Sequence, residues 1–365
     1  MKSPGQVFIF LPSIHLRSGI YRYCFGIICA LADKGENLQI ISLPGNIVWD
    51  DFKTEKGDLV NISHLEIRSL FQLKKIFKKK RGVIYFLTPD LRSLVAILLI
   101  PHCIKKILTI HDVYCFRAKF SFKEVGRWVK ELTRSFLIRI SAILNSVFFI
   151  AISGATHRDV SKILHLSPGR IRIIYPGTTE YFFENSSDCK PDLENFLLSH
   201  FAQTKFFPIL ALFLKKYPDF SMIFFWSDPS FIYPAKKVAK KLGIDKKLIF
   251  KVAISDAELS CLYRRAACFI RYVDDEGFGM PVAEAMASGC PILVSDRGSL
   301  PDVVRIPEIV LPIDAIEQWL NMLDKIIKDK KFRDELIKKE KVRAESLRWT
   351  ATAQEIIKYY DYLRN

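Results

Sequence analysis

The chain has 365 residues, more than the roughly 250–300 at which a single hydrophobic core stops growing, so we expect two domains. Half of the residues are hydrophobic and 26% are charged, which excludes a mainly disordered chain, a collagen and a simple coiled coil. The formal net charge is +16, and residues 1–189 carry most of it, with 27 basic and 15 acidic side chains. A basic first half indicates an anionic partner such as phospholipid, a phosphorylated lipid or nucleic acid.

The eight cysteines are spread along the chain without a C-x-x-C pair, so we expect reduced, mostly buried thiols rather than disulfides or zinc ligands. The longest charge-free stretch, residues 140–157, is interrupted by Asn145 and Ser146, which argues against a membrane span. Near the amino terminus, the run VFIFL resembles a buried strand more than a signal peptide. These features predict a cytoplasmic protein.

Short apolar runs alternate with segments of helical spacing through the first half of the chain. The predicted strands there are residues 7–11, 39–43, 83–87, 106–110, 147–152 and 172–175. A polar, irregular stretch at 178–193 predicts a linker. A second alternating block has predicted strands at residues 196–199, 221–226, 248–252, 268–272, 291–295 and 309–311. The remaining residues have helical spacing and end in an amphipathic stretch at 350–363.

This alternation predicts two doubly wound α/β domains, each a parallel sheet covered by helices on both faces. We expect the first domain to comprise residues 1–180 with about 348–365, and the second to comprise residues 190–347. Ligands of such sheets bind at the carboxyl ends of the strands, so we expect a ligand in a cleft between the two domains.

The sharpest local signal is the segment EGFGMPVAEAMASGCP at residues 276–291, which follows a predicted strand. Pro281 suits the first turn of a helix, because its missing N–H would be unpaired there. Gly289 suits the left-handed residue that ends a short helix. Gly277 and Gly279 let a ligand approach the backbone without meeting a Cβ atom.

A helix that begins near Met280 would direct unpaired amides at a ligand, and such an amino terminus stabilises phosphate. Two carboxylates flank this end of the helix, Glu276 before it and Glu284 one turn inside it. Because a carboxylate repels phosphate, we expect each to accept hydrogen bonds from hydroxyl groups instead. Phosphates in the middle and hydroxyl-rich groups at both ends describe a nucleotide-sugar.

The spacing of Glu276 and Glu284, with seven residues between them, closely resembles the signature of retaining family-4 glycosyltransferases. Those enzymes have the GT-B fold of two Rossmann-like domains. Weaker similarity extends over most of the chain. Residues 18–23 resemble the first glycine loop of the family, His111 and Asp112 resemble its strand-end pair, and residues 349–353 resemble its terminal helix that crosses back to the first domain.

The resemblance implies a role for each matched residue. Glu284 would hold the ribose diol of the donor nucleotide, whereas Glu276 and His111 would face the transferred sugar. Gly19 would lie against the diphosphate, where a side chain would collide. The rest of the donor-binding segment is Gly277, Phe278, Gly279, Met280, Pro281, Val282 and Ala283. Pro281 itself has no N–H to donate. In this segment, the amides of 278–280 would meet sugar hydroxyls and those of 282–283 the phosphates.

The family also uses an arginine and a lysine five positions apart to neutralise the departing diphosphate. Lys205 fits the lysine position, whereas His200 occupies the arginine position. Histidine is only partly protonated near neutrality and lacks the guanidinium fork, although it can donate one hydrogen bond to a phosphate oxygen.

By resemblance, the chain is a hexosyltransferase that moves a sugar to a glycan or lipid-linked acceptor with retention of configuration, in surface polysaccharide or glycoconjugate synthesis. Lys205, His200 and the helix amides would stabilise the departing diphosphate, and Glu276, His111 and Lys205 would be the catalytic residues. The sequence has no D-x-D triplet. We therefore expect no metal, and no cofactor besides the nucleotide-sugar substrate.

Residues 122–137 alternate basic and apolar side chains at helical spacing. On an anionic membrane, Trp128, Leu132 and Phe136 would enter the head-group region, which would make the protein peripheral on the inner face of the membrane. The same stripe also suits an internal helix packed on the sheet, which is the simpler interpretation.

Functions from other classes compete with transfer. His200 at the arginine position also fits a GT-B-shaped protein that binds a nucleotide-sugar without turnover. The charge of +16 fits nucleic-acid binding, but the chain has no recognisable reading motif and no regular stacking aromatics in its basic runs, so we expect no nucleic-acid partner. A sugar-nucleotide epimerase or a phosphorylase would share the fold.

Overall fold

The computed structural model describes residues 6–11, 19–57, 59–78, 80–117, 125–184, 194–200, 204–226 and 228–364. The chain divides into two compact units: unit 1 is Met1–Gly177 with Trp349–Asn365, and unit 2 is Thr178–Arg348. The predicted domains, 1–180 with 348–365 and 190–347, differ from these units mainly in the segment that was predicted as a linker.

Unit 1 contains a seven-stranded parallel sheet. Its strands are β1 Val7–Phe10, β2 Leu38–Ser42, β3 Ile62–Glu66, β4 Gly82–Phe86, β5 Ile104–Ile110, β6 Val147–Ala151 and β7 Ile171–Ile173. Their spatial order is β3-β2-β1-β4-β5-β6-β7. The helices that connect them are α1 Gly19–Asp33, α2 Ile47–Lys56, α3 Phe71–Phe77, α4 Leu91–Leu99, α5 Tyr114–Arg117, α6 Val125–Ile143 and α7 Gly154–Leu164.

The core of unit 1 lies around the central strands of this sheet. Phe10, Phe86 and Phe149 are fully buried in it, and Phe10 is in register with Phe86 of the neighbouring strand. Strands of a parallel sheet are covered on both faces, which is why they consist of nearly continuous apolar runs.

Unit 2 contains a six-stranded parallel sheet in the order β10-β9-β8-β11-β12-β13. Its strands are β8 Glu194–His200, β9 Ser221–Trp226, β10 Leu248–Val252, β11 Ala266–Arg271, β12 Ile292–Ser295 and β13 Val310–Leu311. Its helices are α8 Phe207–Lys216, α9 Ile232–Lys241, α10 Asp256–Arg265, α11 Met280–Ser288, α12 Leu300–Val304, α13 Ile316–Lys328 and α14 Lys330–Glu345. The two predicted α/β domains with parallel sheets are therefore confirmed.

The last helix, α15 Trp349–Arg364, belongs to unit 1 although the chain reaches it from unit 2. The Trp349 ring packs against Gly26 of α1, and a Cβ atom on Gly26 would lie 2.2 Å from Cε2 of that ring. At the other end of α15, the Tyr360 hydroxyl donates to the carbonyl oxygen of Val83 at 3.0 Å. The return of the terminal helix to the first domain, expected from the resemblance, is thus observed.

Helix α6 exposes large apolar side chains that the simpler interpretation of the sequence placed in the interior. Leu132 and Phe136 have 43% and 62% of their surface exposed, so the prediction that they pack inside is wrong. The buried side of α6 consists mainly of small residues with one isoleucine: Ser135, Ile138, Ser141 and Ala142. Small side chains on the buried side allow close packing, and the large apolar side chains lie on the opposite side of the helix. Residues 122–124 of the predicted stripe lie outside the described residues.

The cysteines agree with the sequence prediction except at one position. The free thiols among the described residues are Cys24, Cys29, Cys103, Cys115, Cys268 and Cys290. Cys261 is disulfide-bonded, so the prediction of a reduced thiol is wrong there. The reason is that a missing C-x-x-C motif excludes pairing only between close neighbours in sequence. Cys189 lies outside the described residues. No helix in the described ranges is both long and apolar enough to cross a bilayer.

Candidate functional site

The predicted turn and helix after β11 form as expected. Gly279 is the residue before α11 and has a left-handed backbone with φ +91°, which glycine tolerates without strain. The helix then begins at Met280 with Pro281 in its first turn, and it ends before Gly289, where φ is +74°.

The free amides at this end of α11 differ from those expected. The N–H groups of Val282 and Ala283 both donate to the carbonyl oxygen of Gly279, at 2.9 and 3.2 Å, so the prediction that they are free for phosphate is wrong. The first four N–H groups of a helix, counted from its capping residue, have no regular partner in the helix. Because Gly279 is the capping residue, Ala283 is the fifth and makes the first regular helical hydrogen bond. Gly279 and Met280 carry the amides that donate to no other described residue.

A neighbouring loop fixes the backbone of Glu276. Ser299 donates its N–H to the carbonyl oxygen of Glu276 at 3.0 Å. Gly298 passes so close that a Cβ atom there would lie 2.4 Å from the nitrogen of Glu276, and its φ is +57°. Sequence reasoning missed Gly298, because no pattern within one segment reveals a close approach of two loops.

The Glu276 side chain is held by Arg271, the last residue of β11. The Nε and Nη2 atoms of Arg271 donate to Oε2 of Glu276 at 2.8 and 2.6 Å, and Nη1 donates to the carbonyl oxygen of His200 at 2.6 Å. Both partners are largely buried, with 11% and 18% of their side chains exposed. Sequence reasoning also missed Arg271, although an arginine at the end of an apolar strand was a usable signal.

Lys205 lies beside the same loop. Its Nζ donates to Oδ2 of Asp274 at 2.7 Å, and both side chains are more than half exposed. The hydrogen bond to Asp274 and the charge of that carboxylate raise the pKa of Lys205 above its ordinary value, so this lysine carries a positive charge at neutral pH.

His200 ends β8, as predicted, and its ring packs on Trp226 and Phe225 of the adjacent strand, with ring centroids 4.3 and 5.1 Å apart. The three residues that follow His200 lie outside the described part of the chain. The strand end thus brings His200 next to Arg271, and Lys205 next to Asp274, at the carboxyl edge of the sheet.

Glu284 lies one turn inside α11, and only 4% of its surface is exposed. The hydroxyl of Tyr263, on α10, donates to its Oε2 at 3.3 Å. Phe278, in the loop before the helix, is also buried. The polar groups of residues 276–284 are therefore backbone amides and two carboxylates, whereas the aromatic ring of Phe278 is buried in the protein.

The remaining predicted residues belong to unit 1. His111 follows β5 and its Nε2 donates to the carbonyl oxygen of Leu87 at 2.9 Å, while the ring packs edge-on against Tyr23. Burial lowers the pKa of His111 to about 4, so the ring is neutral at pH 7. Gly19 begins α1, and a Cβ atom on it would meet no described atom within 4 Å. Ser18 lies outside the described residues.

Unit 2 thus collects amide donors, an exposed lysine and two carboxylates at the carboxyl ends of β8 and β11. Amides at a helix start and a lysine bind anionic groups, and carboxylates accept hydrogen bonds from hydroxyls. In the described ranges, no group of three or more His, Cys, Asp or Glu side chains is placed to hold a metal ion.

Residues 215–343 match the family described as glycosyl transferases group 1, and the matched region includes α11 with Glu276 and Glu284. An O-antigen chain mannosyltransferase of Salmonella typhimurium is 23% identical over 230 residues, which cover 62% of this chain and 62% of that protein. An MMP alpha-(1->4)-mannosyltransferase of Mycolicibacterium hassiacum is 31% identical over 135 residues, 35% of this chain and 32% of that protein. The chain matches less than two thirds of the length of these relatives.

A solved structure shares the fold over almost the whole chain. The glycosyltransferase from Rickettsia africae has a TM-score of 0.72 at 14% identity, with 99% of each chain covered. The GT-B class predicted from the sequence, with two Rossmann-like units, is therefore confirmed.

Proposed function

We propose that this chain, whose residues 215–343 match the glycosyl transferases group 1 family, transfers a sugar from a nucleotide-sugar to a glycan or lipid-linked acceptor. One observation carries the proposal: the amides of Gly279 and Met280 are available at the start of α11, between the carboxylates of Glu276 and Glu284. A diphosphate suits the amides, and hydroxyl-bearing groups on either side of it suit the carboxylates.

In the proposed reaction, the bond between the anomeric carbon and the diphosphate oxygen breaks, and the oxygen of an acceptor hydroxyl forms the new bond from the same face. The hydroxyl gives its proton to the departing diphosphate. The anomeric carbon gains positive charge and the diphosphate gains negative charge as the bond breaks. Lys205 and the amides of α11 stabilise the departing diphosphate, so the step requires no metal ion. Lys205 exchanges its exposed contact with Asp274 for phosphate, and a solvent-exposed ion pair of this kind costs little to break.

Mannose is the sugar to test first, because both relatives described above are mannosyltransferases by name. One of them acts on O-antigen chains by name, which supports a role in surface polysaccharide synthesis. We assign the transferred sugar to the Glu276 side of α11 and the ribose to the Glu284 side. The roles of His111 and Gly19 toward the donor stay predictions.

For the acceptor we propose a glycan on a membrane lipid, reached from the inner surface of an anionic membrane. Helix α6 exposes large apolar side chains on one side along its whole length: Val125, Val129, Leu132, Phe136 and Ile143. Their spacing of three, four or seven residues keeps them on one face of the helix, away from the buried Ile138. Arg139, which is also exposed, lies beside this apolar face by the same spacing, and its positive charge complements anionic head groups.

Co-sedimentation with lipid vesicles tests this membrane contact. The protein should bind anionic vesicles, and less so as salt rises, whereas Phe136→Glu should bind several-fold less because a charge opposes insertion. Val342→Glu, a change at an exposed valine in unit 2, serves as the control and should bind like the wild type. Equal binding to neutral vesicles, or equal binding by Phe136→Glu, would contradict the proposal.

Transfer itself is tested with radiolabelled nucleotide-sugars and a lipid extract of bacterial membranes. We expect label in the lipid fraction from one donor, without added divalent metal and in the presence of a chelator. The anomeric configuration of the product, read by NMR, should equal that of the donor. Inversion would contradict retention, and loss of transfer with the chelator would contradict independence of metal.

Binding without turnover is the second candidate, and His200 at the arginine position favours it. A protein of this kind would bind a nucleotide-sugar tightly and neither transfer nor hydrolyse the sugar. Product analysis of the same incubation separates the two candidates, and it also separates transfer from epimerisation or phosphorolysis.

A further inference from the structure

The Arg271–Glu276 pair raises an electrostatic question about the start of α11. The helix start attracts anions, yet the Glu276 side chain lies beside it, since a Cβ atom on Gly279 would come within 3.5 Å of Cγ of Glu276. An ionised carboxylate at this place would repel a diphosphate, and the repulsion is strong where little water screens it.

The guanidinium of Arg271 neutralises the negative charge of Glu276 directly. Two of its nitrogen atoms donate to the same oxygen of Glu276, and the pair is mostly shielded from solvent. The third nitrogen donates to the backbone of His200. Continuing the register of Phe269 with Leu198 by two residues places Arg271 opposite His200, so a fixed positive charge stands next to the position where the sequence has histidine.

We propose that Arg271 is a positioning residue of the donor site: it cancels the charge of Glu276 and fixes the orientation of this carboxylate, which allows an acidic side chain to lie beside a phosphate-binding helix start. Glu276 then accepts hydrogen bonds from sugar hydroxyls without repelling the diphosphate. The inference rests on the proposed function, and it adds a residue that the family resemblance does not assign.

Isothermal titration with nucleoside diphosphates tests the proposal through a rescue. In Arg271→Gln, the uncompensated carboxylate should weaken diphosphate binding about tenfold or more. Adding Glu276→Gln to this variant removes that carboxylate and should return the affinity to within about threefold of the wild type. Transfer should stay lost in the double variant, because the sugar has lost its carboxylate partner. Arg333→Gln, which removes an arginine of α14 that donates to the carbonyl oxygen of Ile326 on α13, controls for the loss of one positive charge.

The outcomes separate this inference from the proposed function. Diphosphate binding by the wild type, with rescue in the double variant, supports both. Binding by the wild type without rescue, or a loss in Arg333→Gln as large as in Arg271→Gln, overturns the role of Arg271 and leaves the proposed function standing. If the wild type binds no nucleoside diphosphate, the proposed function fails and the inference fails with it.

Discussion

At the scale of single residues, the acidic side chains around α11 differ in the partners that hold them. Asp274 contacts an exposed lysine, Glu276 a largely buried arginine and Glu284 a tyrosine hydroxyl. An exposed ion pair exchanges readily with water and ligands, whereas a buried pair keeps its geometry. The structure thus gives Lys205 freedom to move and gives Glu276 a fixed position.

Gly19→Ala separates ligand contact from folding. Because no described atom lies near the added Cβ, the free energy of unfolding should change by less than about 1 kcal/mol. If the diphosphate occupies this space, the dissociation constant of the donor should rise at least about tenfold, an expectation based on steric exclusion. Chemical denaturation and titration calorimetry measure the two quantities. Unchanged donor affinity would remove Gly19 from the site.

The buried His111 predicts a pH dependence of stability. Its pKa is about 4 in the folded chain and 6.5 ordinarily, so the unfolded chain takes up the proton first as the pH falls. This contribution to stability is complete above pH 6.5 and is lost towards pH 4, by about 3 kcal/mol. Denaturation at several pH values should show this loss in the wild type and a smaller one in His111→Gln. Identical pH profiles would contradict the assignment.

The candidate site was predictable where a single segment determines it. The start and end of α11 follow from Pro281 and the two flanking glycines, whose conformations are local. Contacts between segments were not predictable, because Arg271 and Gly298 reach Glu276 from other parts of the chain and leave no periodic pattern. The amides of Val282 and Ala283 were misassigned because both close hydrogen bonds to the carbonyl oxygen of Gly279: Ala283 is the first regular helical donor, and Val282 makes a tighter bond one residue earlier.

At the scale of elements, glycine allows α1 and α15 to pack closely. The Trp349 ring fills the space beside Gly26, and its backbone lies against Gly177, where a Cβ atom would come within 2.4 Å of Cα of Trp349. Trp349 begins the helix that returns the chain to unit 1, so these contacts fix the place where that helix starts.

Gly26→Ala tests this packing. The added methyl group would overlap the Trp349 ring, so the free energy of unfolding should fall by about 1–3 kcal/mol despite the better helix propensity of alanine. Gly126→Ala, on α6, is the matched control, because its Cβ would meet no atom of the described residues within 4 Å, and it should leave stability equal or slightly higher. Equal stability of the two variants in urea denaturation would contradict the close packing.

The strands show how far periodicity predicts elements. Every predicted strand forms, and most of their limits agree within two residues, because buried parallel strands are continuous apolar runs. The strand that was not predicted, β3, lies at the edge of its sheet, and its residues ISHLE are half-buried or exposed. A strand covered on one side and interrupted by polar residues lacks the apolar run on which the prediction depended.

At the scale of the whole molecule, the two units carry different functional groups. Unit 2 contains α11, both signature carboxylates and Lys205, and unit 1 contains the basic excess and the exposed face of α6. The proposed function therefore assigns donor recognition to unit 2 and membrane contact to unit 1.

Titration calorimetry of nucleoside diphosphates with wild type and Glu284→Gln tests the central claim most directly. The wild type should bind at least one of them, and Glu284→Gln should bind it about tenfold or more weakly, because a hydrogen bond from ribose to a buried charged group contributes about 1.5–3 kcal/mol. Inorganic pyrophosphate, which has no ribose, should bind Glu284→Gln at least as tightly as the wild type, because the substitution removes a negative charge near the helix start. Equal affinity of wild type and Glu284→Gln for the nucleoside diphosphate, or no binding by the wild type, would contradict the account.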